Sequence, residues 1–311
     1  VGNDVSPEAY VISHASVRPV GLSEIKAYLA FLKNNVKIRG INDVDWEVRI
    51  FFHRETLRQI VALRDYLADK ETDEAIFVKA LMCGILHGSS SISLSLPCSH
   101  TFSMSPTYVQ RYATEHGLKP PKRDVFACLL KKAERVLADP LPRVKGEAYM
   151  ADASRVPLAD ESVNLIVTSP PYFNKQTYAW DNWLRLWFLG YDYREVQRRL
   201  IQTESKEKYV ELMSPCIREM YRVLKENSAC FIIVGDARIG GEMINTASLL
   251  IKPIEAAGFR VKRIIRDTIE HEKKQFAFMP KDRGVKVERI IELHKGKPHF
   301  NDEDVDWSLI L

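Results

Sequence analysis

The stretch VNLIVTSPPYFNKQTYAW, residues 163–180, decides how the chain is read. Val163 to Val167 is an apolar run broken by one asparagine, and it meets Thr168-Ser169-Pro170-Pro171-Tyr172. Proline has no amide donor and a fixed φ, and it pushes the residue before it out of the helical region, so a Pro-Pro pair stops both a sheet ladder and a helix. The run therefore predicts a buried strand ending at Thr168, followed by a rigid, extended turn. Such a turn either links a strand to a helix or holds acceptors in fixed places, and its surroundings decide which.

Working outward, the carboxy-terminal half alternates short apolar strands with helices, the rhythm of a parallel, doubly wound α/β sheet. Strands are expected at 147–150, 163–168, 229–234, 260–266 and 288–293. The last two, separated by a polar loop around 280–284, read as an antiparallel hairpin at one edge of the sheet. Tyr209, Leu212, Met213, Ile217, Met220, Tyr221 and Leu224 share one face at three-and-four spacing, which predicts a helix. A second helix over 245–257 is stopped by Gly258.

Residues 20–139 have a helical apolar pattern instead: Leu57, Ile60, Val61, Leu63 and Leu67, then 76–86, then 125–136. They read as a mainly helical subdomain inserted into an α/β domain made of 1–19 and 140–311. Within it, the Ser-rich stretch 89–112 is expected to be a surface excursion rather than core. At the amino terminus, GNDVSPEAY reads as a strand end, an acid at Asp4, then a helix capped by Ser6 with Pro7 in its first turn. A strand-to-helix junction bearing an acid is where a nucleotide-binding α/β fold holds ribose hydroxyls.

Composition sets bounds. The chain has 311 residues, 46% apolar and 28% charged, with a formal charge of +4, so disordered and fibrous classes are excluded and a nucleic-acid partner is permitted but not demanded. Cys83, Cys98, Cys128, Cys216 and Cys230 are far apart and never form a CxxC pair, which argues against a disulfide framework or a zinc site. His53, His87, His100 and His116 have no spacing suited to a metal, and none is expected. With no apolar run of roughly 18 residues and no signal-peptide pattern at the start, no membrane is expected, and the reading is cytoplasmic.

Taken together, GEAYMADASRVPLADESVNLIVTSPPY, residues 146–172, resembles the DNA amino-methyltransferases, in which an (S/D/N)-P-P-(Y/F/W) tetrad follows the fourth strand of a Rossmann-like sheet. The resemblance spans most of 140–295, and GNDVSPEAY fits the family's second-strand motif. It implies S-adenosyl-L-methionine (SAM) as cofactor and double-stranded DNA as substrate. By position in the motifs, Asp4 would bind the cofactor ribose and Asp152, with Ala153 and Thr168 beside it, would lie near the adenine. Ser169, Pro170, Pro171 and Tyr172 would be the catalytic turn. Thr168 and Ser169 in these positions look more like the cytosine-N4 subgroup than the adenine-N6 one.

The chemistry agrees with the resemblance. An exocyclic base amine is a poor nucleophile because its lone pair is delocalised into the ring. Acceptors fixed around the NH₂, such as the Ser169 hydroxyl and a carbonyl of the Pro170-Pro171 turn, favour the geometry that frees that lone pair. Tyr172 can stack on a base rotated out of the duplex, which helps offset its lost stacking. Phe173 and Tyr178 are candidates for touching substrate, whereas Trp183, Trp187 and Phe188 read as core at helical spacing. Gly235-Asp236-Ala237-Arg238 resembles the loop after the family's fifth strand, where Asp236 or Arg238 lines the base pocket or makes a local ion pair at the sheet rim.

Basic residues cluster at Lys119, Lys122 and Arg123, at Arg194, Arg198 and Arg199, and at Arg260, Lys262, Arg263 and Arg266. The helical insertion, with its Ser-rich stretch and the nearby KPPKRD, is the expected target-recognition element. One departure stands out: none of the 14 glycines forms the F-x-G-x-G turn on which the family's cofactor site rests. The expectation is that the first strand and its turn lie upstream of Val1. Two other readings stay open, an RNA base-amino methyltransferase and a catalytically incompetent DNA-binding fragment or half of a split enzyme. A restriction endonuclease partner is left open as well.

Overall fold

The structure, a computed structural model, describes residues 1–97, 105–173, 178–200, 203–239, 241–269 and 287–296. The chain divides into two compact units, one of residues 1–151 with 177–200, the other of 152–176 with 201–311. These packing units are drawn differently from the functional division expected above, because the first strand and helix pack with the helical block.

The first unit opens with strand β1 (Gly2–Asp4) and helix α1 (Pro7–Val17). Helices α2 (Leu22–Asn35), α3 (Trp46–Arg49), α4 (Arg54–Leu67), α5 (Asp73–Ile85), α6 (Pro106–Glu115) and α7 (Val125–Val136) follow, then strand β2 (Ala148–Met150). Helices α8 (Tyr178–Asp181), α9 (Trp183–Leu189) and α10 (Tyr193–Arg199) complete it. The described part of residues 20–139 is thus mainly helical, as its periodicity predicts. Leu57, Ile60, Leu63 and Met82 are wholly buried in one core, and Trp183 and Phe188 of α9 belong to the same core, with Trp187 packed against it. β1 and β2 pair in parallel, with Asp4 opposite Met150.

The Ser-rich stretch departs from expectation. Of its described part, Ile92, Leu94 and Leu96 are buried in the core, and so are Ser93 and Ser95. The backbone amides of Leu94 and Leu96 donate to the carbonyls of Ile85 and Phe51, and the Ser95 hydroxyl lies 2.8 Å from His87 Nδ1. Apolar residues at every second position face inward, and the serines between them find polar partners, so a composition that reads as loop becomes core.

The second unit contains β3 (Val163–Thr168), α11 (Lys206–Val223), β4 (Leu224–Gly235), β5 (Ala237–Ile239), β6 (Glu242–Ile244), α12 (Thr246–Ala256), β7 (Arg260–Thr268) and β8 (Val287–Lys295). Its main sheet has the order β3-β4-β8-β7. β3 and β4 run parallel, β8 is antiparallel to both β4 and β7, and the expected hairpin is therefore present with β7 at the edge. The polar loop expected around 280–284 lies outside the described residues. The result is a Rossmann-like mixed α/β sheet.

Cys230, Ile232 and Val234 of β4 and Ile291 and Leu293 of β8 are fully buried with Ile217 of α11 and Leu250 and Ile254 of α12. Burying each Ile or Leu stabilises the fold by roughly 1.5–3 kcal/mol. Gly258, at φ 101°, ends α12 in the left-handed region, and a Cβ there would stand 2.9 Å from the Tyr221 ring. β3 is not the fully buried strand its composition suggests. Among the described residues it pairs with β4 alone, and Leu165 and Val167 are 54% and 63% exposed.

Candidate active site

Strand β3 delivers Thr168, paired with Ile232 of β4, to the carboxyl end of the parallel pair. There Ser169 is exposed, Pro170 is buried and Pro171 and Tyr172 are half-buried. The turn is tied down from outside itself. The Tyr209 hydroxyl on α11 donates to the Pro171 carbonyl at 3.0 Å. The Tyr172 hydroxyl donates to Glu288 Oε1 on β8 at 2.5 Å. Phe173, 3% exposed, packs its ring 5.2 Å from that of Tyr209, so in this structure it belongs to the core of the turn and not to an open surface.

Asp236 follows β4 and is buried, and Arg289 holds it from both sides, with Nε 2.9 Å from Oδ1 and Nη2 2.8 Å from Oδ2. Its amide donates to the Val287 carbonyl at 2.9 Å, which braces the start of β8. The carboxylate raises the Arg289 guanidinium above its ordinary pKa by hydrogen bonding. Arg238 is exposed on β5. Thr168, Ser169, Pro170, Pro171, Tyr172, Phe173, Asp236 and Arg238 all belong to the second unit, whereas Tyr178 stands at the start of α8 in the first.

The acidic junction lies at the carboxyl end of β1. Asp4 Oδ1 accepts the Ser6 amide at 2.8 Å. Ser6 occupies the cap position of α1, but its hydroxyl donates to Glu8 Oε2 at 2.5 Å, so the expected side-chain cap is replaced by an acid partner. Pro7 stands in the first turn as predicted. Burial pushes the carboxyl groups of both Asp4 and Glu8 up, against hydrogen bonds from Ser6 that hold them down. Two residues after β2, exposed Asp152 accepts the Ser154 amide at 2.7 Å, with exposed Ala153 between them.

Among the described residues, no group of three or more His, Cys, Asp and Glu could hold a metal ion. The four described cysteines are buried and free, and burial pushes the thiols of Cys83 and Cys230 up to about 12, which keeps them unreactive. No described helix is long and apolar enough to cross a membrane. Of the basic clusters, Lys262 and Arg263 are drawn onto Glu292, at 3.5 and 2.7 Å.

With this geometry in hand, a family model described as DNA methylase matches residues 163–307. The chain resembles the DNA amino-methyltransferases. It is 29% identical over 116 residues to the type II methyltransferase M.SfiI of Streptomyces fimbriatus, covering 35% of this chain and 24% of that protein. It is 30% identical over 172 residues to the type II methyltransferase M.MjaI of Methanocaldococcus jannaschii, covering 47% of this chain and 54% of that one. The chain thus spans about a quarter and about half of the lengths of these two relatives. Among solved structures, a DNA modification methylase candidate from Thermus thermophilus, complexed with SAM, superposes with a TM-score of 0.31 at 18% identity, covering 50% of this chain and 58% of that one.

Sequence reasoning missed Glu8, Tyr209 as more than core, Glu288 and Arg289. Tyr209 carried a signal: a tyrosine on the buried face of a helix has to send its hydroxyl to a partner. The charged pair Glu288-Arg289 opening an apolar strand was another.

Proposed function

We propose that the protein is a SAM-dependent, site-specific DNA methyltransferase acting on the exocyclic amine of a base rotated out of the duplex, with cytosine N4 as the acceptor. The observation that carries the reading is exposed Ser169 at the carboxyl end of β3, backed by a Pro-Pro turn that is fixed before any substrate arrives. The match of residues 163–307 to the methylase family supports it. Asp4, at the carboxyl end of β1, fits the nucleoside half of the cofactor, since its carboxylate offers acceptors suited to ribose hydroxyls, and Asp152 is the candidate for the adenine amine by its place in the motif. When bound, SAM supplies an electrophilic methyl group.

The chain's own residues then do the rest. The Ser169 hydroxyl and the Pro170 carbonyl accept from the two N–H bonds of the amine, orient its lone pair and favour a pyramidal nitrogen. Tyr172 offers its ring to the base face, and Tyr178 and Arg238 lie on segments that substrate could touch. The methylated amine is acidic enough to lose its proton to water, so no strong base is needed.

We assign methyl transfer to 1–19 with 140–311, and target reading to the helical block 20–139. Because Ile92 to Leu96 are core, exposed Lys119 and Lys122 are the better candidates there for meeting phosphates.

The test is transfer of labelled methyl from SAM to unmethylated duplex DNA, followed by nucleoside analysis. Residues 1–311 and the protein from its full reading frame are assayed side by side, with transfer RNA as a competing acceptor. N4-methylcytosine is expected, at least from the full reading frame. N6-methyladenine would move the acceptor, preference for RNA would move the substrate, and no methylated nucleoside at all would overturn the reading.

A further inference from the structure

We propose that Tyr209 and Glu288 are positioning residues of the methyl-acceptor site, a two-point clamp that presets the Ser169–Tyr172 turn; the inference rests on the reading of that turn as catalytic. Two consecutive prolines leave the turn without amide donors at 170 and 171, so it cannot fix itself through backbone hydrogen bonds from those positions. What holds it must grip its carbonyls and its flanking side chains. Both grips come from distant elements, 38 and 116 residues along the chain.

Tyr209 is 1% exposed, and a buried phenol needs a partner for its hydroxyl. That partner is the Pro171 carbonyl, while the ring lies against Phe173 and so holds the residue that leaves the turn. One consequence is an assignment of acceptors: Pro171 is engaged by the protein, and Pro170 is the proline whose carbonyl serves the amine. Glu288 works on the other end. Its carboxylate accepts the Tyr172 hydroxyl and thereby restricts rotation of the ring a base would stack on.

Glu288 is itself well founded. It pairs across the sheet with Gly235, and the next residue, Arg289, is bound to Asp236 by two hydrogen bonds. The clamp therefore runs from the turn into the middle strands of the sheet. Its role is geometric: neither Tyr209 nor Glu288 is asked to touch the reacting atoms, only to keep Ser169 and Tyr172 within a few tenths of an ångström of the productive arrangement.

The experiment compares single-turnover methyl transfer by the full-reading-frame protein with that of Tyr209→Phe, Glu288→Ala, Glu288→Gln and Ser169→Ala. Tyr209→Phe keeps the ring and the core and loses only the hydroxyl. We expect its transfer rate, and that of Glu288→Ala, to fall about tenfold to a hundredfold with the affinity for SAM unchanged. Glu288→Gln, whose amide carbonyl still accepts from Tyr172, should recover most of the rate. Loss of thermal stability with an unchanged rate in Tyr209→Phe and Glu288→Ala would make both residues merely structural and overturn the clamp. If the unaltered protein transfers methyl and Ser169→Ala does not, the catalytic reading stands whatever the clamp variants do. If the unaltered protein transfers none, the reading fails and takes the clamp with it.

Discussion

The Ser169–Tyr172 turn and the Asp4–Glu8 junction each follow the carboxyl end of a strand in a parallel pair, yet they are held by opposite means. The turn depends on Tyr209 and Glu288, which reach it from 38 and 116 residues away. The junction depends on neighbours: Asp4 binds the amide of Ser6, and Ser6 binds Glu8, all within five residues. A segment stripped of amide donors by proline has to borrow its rigidity from elsewhere, whereas a polar segment entering a helix supplies its own. The first arrangement makes the turn sensitive to the sheet beneath it. The second makes the junction nearly autonomous.

Changes in and beneath the turn should therefore have the largest effects. Ser169→Ala removes an acceptor at the amine without disturbing an exposed backbone, and methyl transfer should fall roughly 10²–10³-fold with the denaturation midpoint unchanged. Full activity in that variant would remove the turn from the chemistry and leave the comparison between the two regions without a functional side. Asp236→Ala comes next. It leaves the half-buried Arg289 guanidinium without its two acceptors, and should cost about 2 kcal/mol of stability in urea titration. Methyl transfer should drop with it, because Glu288 loses its brace; a stability loss with full transfer per folded molecule would show that the turn does not depend on the start of β8.

The same contrast explains what could be read from the sequence. The turn, both helices of the second unit and the strands of its main sheet were legible because Pro-Pro, three-and-four spacing and short apolar runs are local signals, whereas the short β5–β6 pair stands where a loop was expected. Asp4 was legible at its strand end for the same reason. Glu288 and Arg289 were not, since their roles depend on β8 lying beside β4, which no local pattern encodes. Ile92, Leu94 and Leu96 were misread because serine content outweighed an alternating apolar pattern whose serines turned out to be satisfied inside. β3 was misread the other way: its composition asks for burial on both sides, and among the described residues it has a partner on one.

At the junction, Asp4→Asn keeps the acceptor for the Ser6 amide and removes the charge. If Asp4 holds ribose hydroxyls, SAM affinity should weaken about tenfold, equivalent to about 1.4 kcal/mol, with the turn and its transfer geometry untouched. Calorimetric titration of both proteins decides it. An unchanged dissociation constant would detach the junction from the cofactor and leave it a structural helix start.

The smallest effect concerns Glu8 and sharpens the claim of autonomy. Burial is the main reason its carboxyl lies above the ordinary value of 4.5; the charge of Asp4 pushes the same way, and the Ser6 hydroxyl pulls back. A carboxyl raised in the folded state keeps its proton at pH values where the unfolded chain has already lost it. The stability it contributes is thus fully present below about 4.5, the unfolded value, and is lost as pH rises through the folded one. Glu8→Gln still accepts from Ser6 but cannot titrate, so stability should decline less steeply above that value, with a residual slope from Asp4. Urea midpoints measured from pH 4 to pH 8 in both proteins report the difference. If the slope is the same in both proteins, Glu8 is not the titrating group; if Glu8→Gln also slows methyl transfer, the junction and the turn are coupled, and the two regions are not as independent as their hydrogen bonds make them.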